Sequence, residues 1–163
     1  MSIKLIVGYI VGIIILIAII IYAGSRGTTT TASKDDPNRP IAIIQGASSF
    51  DLGKMTNRDI RSKTFEIKNN GKNDLELINV ATSCDCTYVY VTTNGQKSPK
   101  FTMHGTTDWK GIIKSGEKAQ IEVIYEPAIM PVNGMVERIV TITTNDPEHQ
   151  SLEFKVQAEV FAN

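Results

Sequence analysis

From Pro40 onward the apolar residues of this chain recur at every second position, and no stretch there shows helical amphipathic spacing. Phe65 and Ile67 alternate with polar neighbours, as do Ala119, Ile121, Val123 and Tyr125, and again Leu152, Phe154, Val156, Ala158 and Val160. Successive side chains of a strand point to opposite faces, so this period buries one face and wets the other. Between these runs lie Asn69-Asn70-Gly71, Lys114-Ser115-Gly116-Glu117, Val132-Asn133-Gly134 and Asn145-Asp146-Pro147, residues that tolerate turn dihedrals. The spacing predicts strands near 41–44, 61–69, 75–82, 86–93, 118–126, 135–144 and 151–161. Short half-buried strands in that number, without a helix among them, define an all-β antiparallel sandwich.

The amino-terminal end follows a different rule. Leu5 to Ala23 carries no charge, and at about 1.5 Å per helical residue it covers roughly the 30 Å hydrocarbon core of a bilayer. The run is longer than a signal-peptide apolar region of about 7 to 15 residues, although Ala23-Gly24-Ser25 would pass as a cleavage site. The expectation is an uncleaved transmembrane anchor over 1–23. No cysteine follows the run, so lipoprotein processing has no acceptor there. Lys4 precedes the helix while Arg26, Lys34 and Arg39 follow it. Taken alone, the positive-inside rule places the following domain in the cytoplasm, but the rule is weak for long domains and for a difference of one or two charges. Gly8 and Gly12 stand at GxxxG spacing, which allows two such helices to approach closely as a homodimer.

Residues 24–40 read GSRGTTTTASKDDPNRP, with no aromatic or large aliphatic side chain to bury. Such a composition predicts a flexible polar linker leading into a domain over 41–163. Inside the domain, the stretch from Thr93 to Ser115 is too long for a hairpin loop. It holds Phe101, Met103, Trp109 and Ile112, so it is expected to pack down on the domain.

Chemistry has few places to reside. The only cysteines are Cys84 and Cys86, in Ser83-Cys84-Asp85-Cys86-Thr87. If that segment is extended, their Cα atoms stand about 6.6 Å apart on one face, near the outer limit for a disulfide. A bridge would then be strained or need a turn. Three readings stay open: packed thiols without a role, a redox-active disulfide, and a soft-metal site. Thiolate and thioether suit Cu(I) and imidazole suits copper or zinc, so Cys84, Cys86, Met103 and His104 together would make a complete copper set. Equally, Met103 could anchor its loop and His104 could sit exposed before Gly105. The redox reading is weakened by Asp85, whose charge should raise the thiol pKa values on either side.

Other function classes find no support in the residues. The histidines are His104 and His149, the second in a polar turn, and no nucleophile elbow, P-loop or HExxH is present. Within the domain over 41–163 acidic residues are scattered singly along strands and turns, which does not suggest paired-carboxylate chemistry. Lys and Arg total 17 against 17 Asp and Glu, without a basic run or aromatic platform, so no nucleic-acid surface is expected.

Phe65-Glu66-Ile67-Lys68-Asn69-Asn70-Gly71, the strand from Leu75 to Val80 and Ser83-Cys84-Asp85-Cys86-Thr87 resemble an uncharacterised bacterial domain family. Its members are similar to the PapD-like and ASH-like immunoglobulin sandwiches. The family's later marks, a P-G-E turn, Y-x-P and T-N-D, stand here as Ser115-Gly116-Glu117, Tyr125-Glu126-Pro127 and Thr144-Asn145-Asp146. Ser115 replaces the family's proline, and Asn70 its threonine in N-T-G. Phe101 to Gly105 matches none of these marks, so no metal role carries over to it.

The resemblance implies an immunoglobulin-like fold and an exported or anchored chain, and it implies no established activity. The expectation is a single-pass cell-membrane protein whose domain faces outside. It would be a non-enzymatic module that binds envelope proteins or supports envelope assembly, with no resident cofactor. The alternatives are an envelope copper-binding protein using Cys84, Cys86, Met103 and His104, and a thiol-disulfide oxidoreductase using Cys84 and Cys86.

Overall fold

The structure, a computed structural model, describes residues 32–104 and 108–161 together with Ile13. The chain divides into a compact unit over 1–30 and a second over 31–163. Apart from Ile13, which is helical, the expected anchor, with Gly8 and Gly12, lies outside the described residues. No helix among the described residues is long and apolar enough to cross a membrane.

The second unit is a sandwich of two five-stranded sheets. Its strands are β1 (Ala42–Gln45), β2 (Ser49–Thr56), β3 (Arg61–Asn69), β4 (Leu75–Thr82), β5 (Thr87–Thr93), β6 (Gln96–Lys97), β7 (Gly111–Ile113), β8 (Lys118–Tyr125), β9 (Gly134–Thr144) and β10 (Ser151–Phe161). One sheet runs β1-β3-β8-β5-β6 and the other β2-β10-β9-β4-β7. The alternating residues face inward as their period requires. Phe65, Ile67, Ile121, Val123, Phe154 and Val156 are all buried in one core. Phe65 and Phe154 meet across the two sheets with ring centroids 5.1 Å apart.

One expectation about direction needs correcting. All other strand pairs are antiparallel, but β2 runs parallel to β10, from Ser49 opposite Lys155 to Thr56 opposite Phe161. The cause is a strand that changes sheets. β1 pairs with β3 from Ala42 to Gln45, then the chain turns at Gly46, whose φ of 86° favours glycine. It continues as β2 on the edge of the opposite sheet.

Two bulges re-aim side chains. At Gly53 (φ 76°) the β2 register against β10 shifts, so Leu52 and Met55, three residues apart, both point inward. At Asn79 (φ 49°) the β4 register against β9 shifts in the same way, and the buried set passes from Leu75 and Leu77 to Val80 and Thr82.

The last residues of the polar segment, expected as linker, lie on the sandwich. The Asn73 N–H donates to the Asn38 carbonyl at 2.8 Å, Arg39 meets Glu148 at 2.9 Å, and Pro40 is buried. Gly71 makes this approach close: a Cβ there would stand 2.6 Å from the Ile41 nitrogen and nearer still to the Arg39 carbonyl. Within the long 93–115 connection, Phe101 is buried and Trp109 packs edge-on against it at 5.2 Å. Ile113 rather than Ile112 fills the core, and Met103 stays exposed.

Candidate functional site

Ser83 to Cys86 is a tight turn between β4 and β5, not an extended stretch. The Ser83 N–H donates to the Ile139 carbonyl at 2.9 Å, and the Ile139 N–H donates back to Ser83 Oγ at 3.0 Å. The Thr82 hydroxyl shares its proton between the Cys84 and Thr87 carbonyls, at 2.8 and 2.9 Å. The Glu126 N–H reaches the Cys86 carbonyl at 2.9 Å. This folding brings the Cα atoms of Cys84 and Cys86 to 5.3 Å, and their sulfurs form a disulfide. The extended spacing of the sequence argument is thus replaced by a turn that accommodates the bridge.

The four candidate metal ligands are arranged as follows. Cys84 and Cys86 are bonded to each other, so neither sulfur is a thiolate. His104 is exposed, with Nε2 3.7 Å from the Asp85 carboxylate between the cysteines. Met103 occupies the same exposed turn. The chain therefore does carry the Met103-His104 turn to the cysteine turn. No group of three or more His, Cys, Asp or Glu side chains among the described residues is arranged to hold a metal ion. Copper ligation through both sulfurs would require the disulfide to open first. Thiol-disulfide exchange needs a sulfur open to attack, whereas Cys86 is fully buried and Cys84 is 8% exposed.

The turn's own hydrogen bonds predict how much it depends on the bridge. A ring with sequence separation 2 removes little chain entropy, roughly 1–2 kcal/mol against about 3 for a fifteen-residue loop. Reducing the disulfide should leave the domain folded and lower its urea midpoint by an amount equivalent to that small loss. A loss of about 4 kcal/mol or more would show that the bridge, rather than Thr82 and Ser83, holds the turn.

The other motif residues are spent inside the fold. Asn69, wholly buried, donates from Nδ2 to the Asn73 and Ile113 carbonyls, both at 2.9 Å, and accepts at Oδ1 from the N–H groups of Gly71 (2.9 Å) and Ile41 (3.3 Å). Asn145 accepts from the Glu76 N–H at 2.9 Å and donates to the Asp74 carbonyl at 3.2 Å. Asp146, 1% exposed, accepts from the N–H groups of Ala42 (2.9 Å) and Glu148 (3.0 Å) and lies 2.9 Å from His149 Nδ1. Burial alone would raise its carboxyl pKa. The bonds from Ala42, Glu148 and His149 outweigh burial and hold it below the ordinary value.

What the fold leaves open is an edge that no motif announces. β1 covers β3 only from Glu66 to Asn69, while β3 pairs with β8 on its other side from Arg61 to Lys68. Over Arg61–Phe65 the second edge of β3 therefore has no strand partner among the described residues. Beside it, where β1 departs, is a recess of about 280 Å³ lined by Gln45, Gly46, Phe50, Lys63, Phe65 and Glu66. The Lys63 ammonium sits 4.3 Å from the centroid of the Phe50 ring, which is 41% exposed. The one sequence signal for this opening is Gly46, directly after β1.

Two packed sheets with a first strand shared between them define an immunoglobulin-like sandwich of the PapD-like class. The chain belongs to the family described as "Protein of unknown function (DUF1573)", which matches residues 43–160. No curated protein matches the sequence.

Among solved structures, a protein of unknown function from Porphyromonas gingivalis W83 is similar, with a TM-score of 0.55 and 19% identity over 83% of this chain. This chain spans 50% of that protein's length. The ASH / PapD-like domain 7 of human CEP192 gives a TM-score of 0.51 at 12% identity, covering 85% of this chain and 96% of that one. A family 123 glycoside hydrolase from Clostridium perfringens gives 0.53 at 10% identity, over 73% of this chain and 24% of its own. At such identities these likenesses show the fold.

Proposed function

We propose that this protein is a membrane-tethered, extracytoplasmic immunoglobulin-like module that binds envelope proteins or supports envelope assembly and carries out no chemistry of its own. The observation that supports this reading most directly is the division of labour among its polar groups. Asn69, Asn145, Asp146, Thr82 and Ser83 are all engaged in satisfying backbone groups. The open β3 edge beside Phe50, by contrast, presents backbone and apolar surface to solvent. Unpaired strand edges and exposed loops are where such scaffolds make contacts. The uncharged run from Leu5 to Ala23 supplies the tether in this reading.

Chemical cross-linking of the full chain in intact cells should recover envelope proteins. External protease should also reach residues of the domain. Recovery of no envelope partner with Leu5–Ala23 intact would sink the proposal, and protection from external protease would reverse its topology.

A further inference from the structure

We infer that the open edge of β3 is a strand-addition site for an extended peptide segment of another protein, one carrying an apolar residue followed two positions later by Asp or Glu. This rests on the binding reading above and names the kind of partner. The backbone groups of Arg61–Phe65 that point away from β8 meet no strand among the described residues. They lie on the track that β1 would have followed had it not turned off at Gly46. An incoming strand antiparallel to β3 continues that track and pairs those groups, as edge addition generally does.

Register and charge then fix the chemistry. β1 places Gln45 opposite Glu66, so a strand continuing in the same direction meets Phe65 first and Lys63 two residues later. The side chains opposite Phe65 and Lys63 fall on the same face. The first enters the recess beside Phe50, whose 280 Å³ lies just under the range of about 300–1,000 Å³ typical of small-molecule pockets. It is a recess of side-chain scale. The second meets Lys63, whose ammonium lies over the Phe50 ring, lines the recess and forms no ion pair among the described residues. A carboxylate there supplies its ion pair.

A second copy of this chain fits poorly. Antiparallel pairing of two β3 edges over this stretch sets Lys63 opposite Lys63 or Arg61, and like charges directly opposite are destabilising. Lysine on an open edge deters self-pairing for the same reason.

The test uses the full chain in detergent micelles and fluorescent threonine peptides with Leu-Thr-Glu or Leu-Thr-Lys at their centre. The Leu-Thr-Glu peptide should bind about tenfold more tightly than the Leu-Thr-Lys peptide, and Lys63→Glu should invert that order. Melting followed by circular dichroism reports whether the variant folds. If it does not, Lys63→Gln should erase the preference without inverting it. No binding, equal binding of the two peptides, or a preference untouched by these substitutions would overturn the inference. Should envelope proteins still cross-link to the chain in cells while both peptides fail, strand addition alone falls. If cross-linking fails as well, the binding reading falls with it.

Discussion

Asn69→Ala is expected to lower the stability of the domain by about 4 kcal/mol, a fall in melting temperature on the order of 15 °C. The side chain it removes makes four hydrogen bonds from a site with no exposure. Its partners are backbone groups of Ile41, Gly71, Asn73 and Ile113, which the smaller residue leaves without their acceptor or donor. A buried polar group stripped of its partner costs about 1–3 kcal/mol, so the loss should exceed that of an ordinary surface substitution several-fold. Asn69→Asp discriminates the mechanism. It keeps the two accepted bonds but turns a carboxylate oxygen toward the Asn73 and Ile113 carbonyls. That raises its folded-state pKa, so the variant should gain stability as pH falls through the raised value, with the gain complete below the unfolded value of about 3.9. A loss under about 1 kcal/mol for Asn69→Ala in urea denaturation would show that the junction is held by packing instead.

Asp146→Asn should remove a pH-dependent part of the stability and weaken the seating of β1. The native carboxyl is held below its ordinary value: burial acts to raise it, but the bonds from Ala42, Glu148 and His149 prevail. A group with a depressed folded pKa contributes stability that is fully present above its unfolded value of about 3.9 and is lost as pH falls through the lower folded value. The native domain should therefore lose stability progressively from about pH 5 downward, and the Asp146→Asn variant should show a shallower decline. At neutral pH the variant should be weaker by about 2–3 kcal/mol, because the amide can accept from only one side while three groups converge on the carboxylate. Amide hydrogen exchange at Ala42, which donates to Asp146 at 2.9 Å, should accelerate. Parallel pH profiles for both proteins would remove the carboxylate from this role. The exposed Arg39–Glu148 pair nearby should contribute little, as surface pairs generally do.

The strands most legible in the sequence were those whose alternation runs unbroken. β3 and β10 begin and end where the period-two pattern and its turn residues place them, and β4 keeps its predicted bounds although Asn79 breaks its alternation. β2 was invisible because Gly53 inserts a bulge that puts Leu52 and Met55 on one face three residues apart. β6 and β7 are only Gln96–Lys97 and Gly111–Ile113, too short to show any period. Asn69, Asn145 and Asp146 could be read as turn residues, but their buried hydrogen bonds join segments far apart in sequence, as Asp146 does with Ala42. The cysteine pair was legible as a candidate site. Its pairing was not, since a strand and a turn place Cys84 and Cys86 at different separations.

The parallel run of β2 beside β10 has a mechanical consequence. The chain enters β2 at Ser49 and leaves β10 at Phe161, and these lie at opposite ends of the shared ladder. A pull that separates the two ends of the domain slides the strands past each other, so the bonds between them are loaded together. An antiparallel hairpin pulled from its open end would instead unzip one bond at a time. A domain stretched between a fixed attachment upstream of Ala42 and a load beyond Phe161 should hold as a clamp, with rupture governed by the rate of forced unfolding.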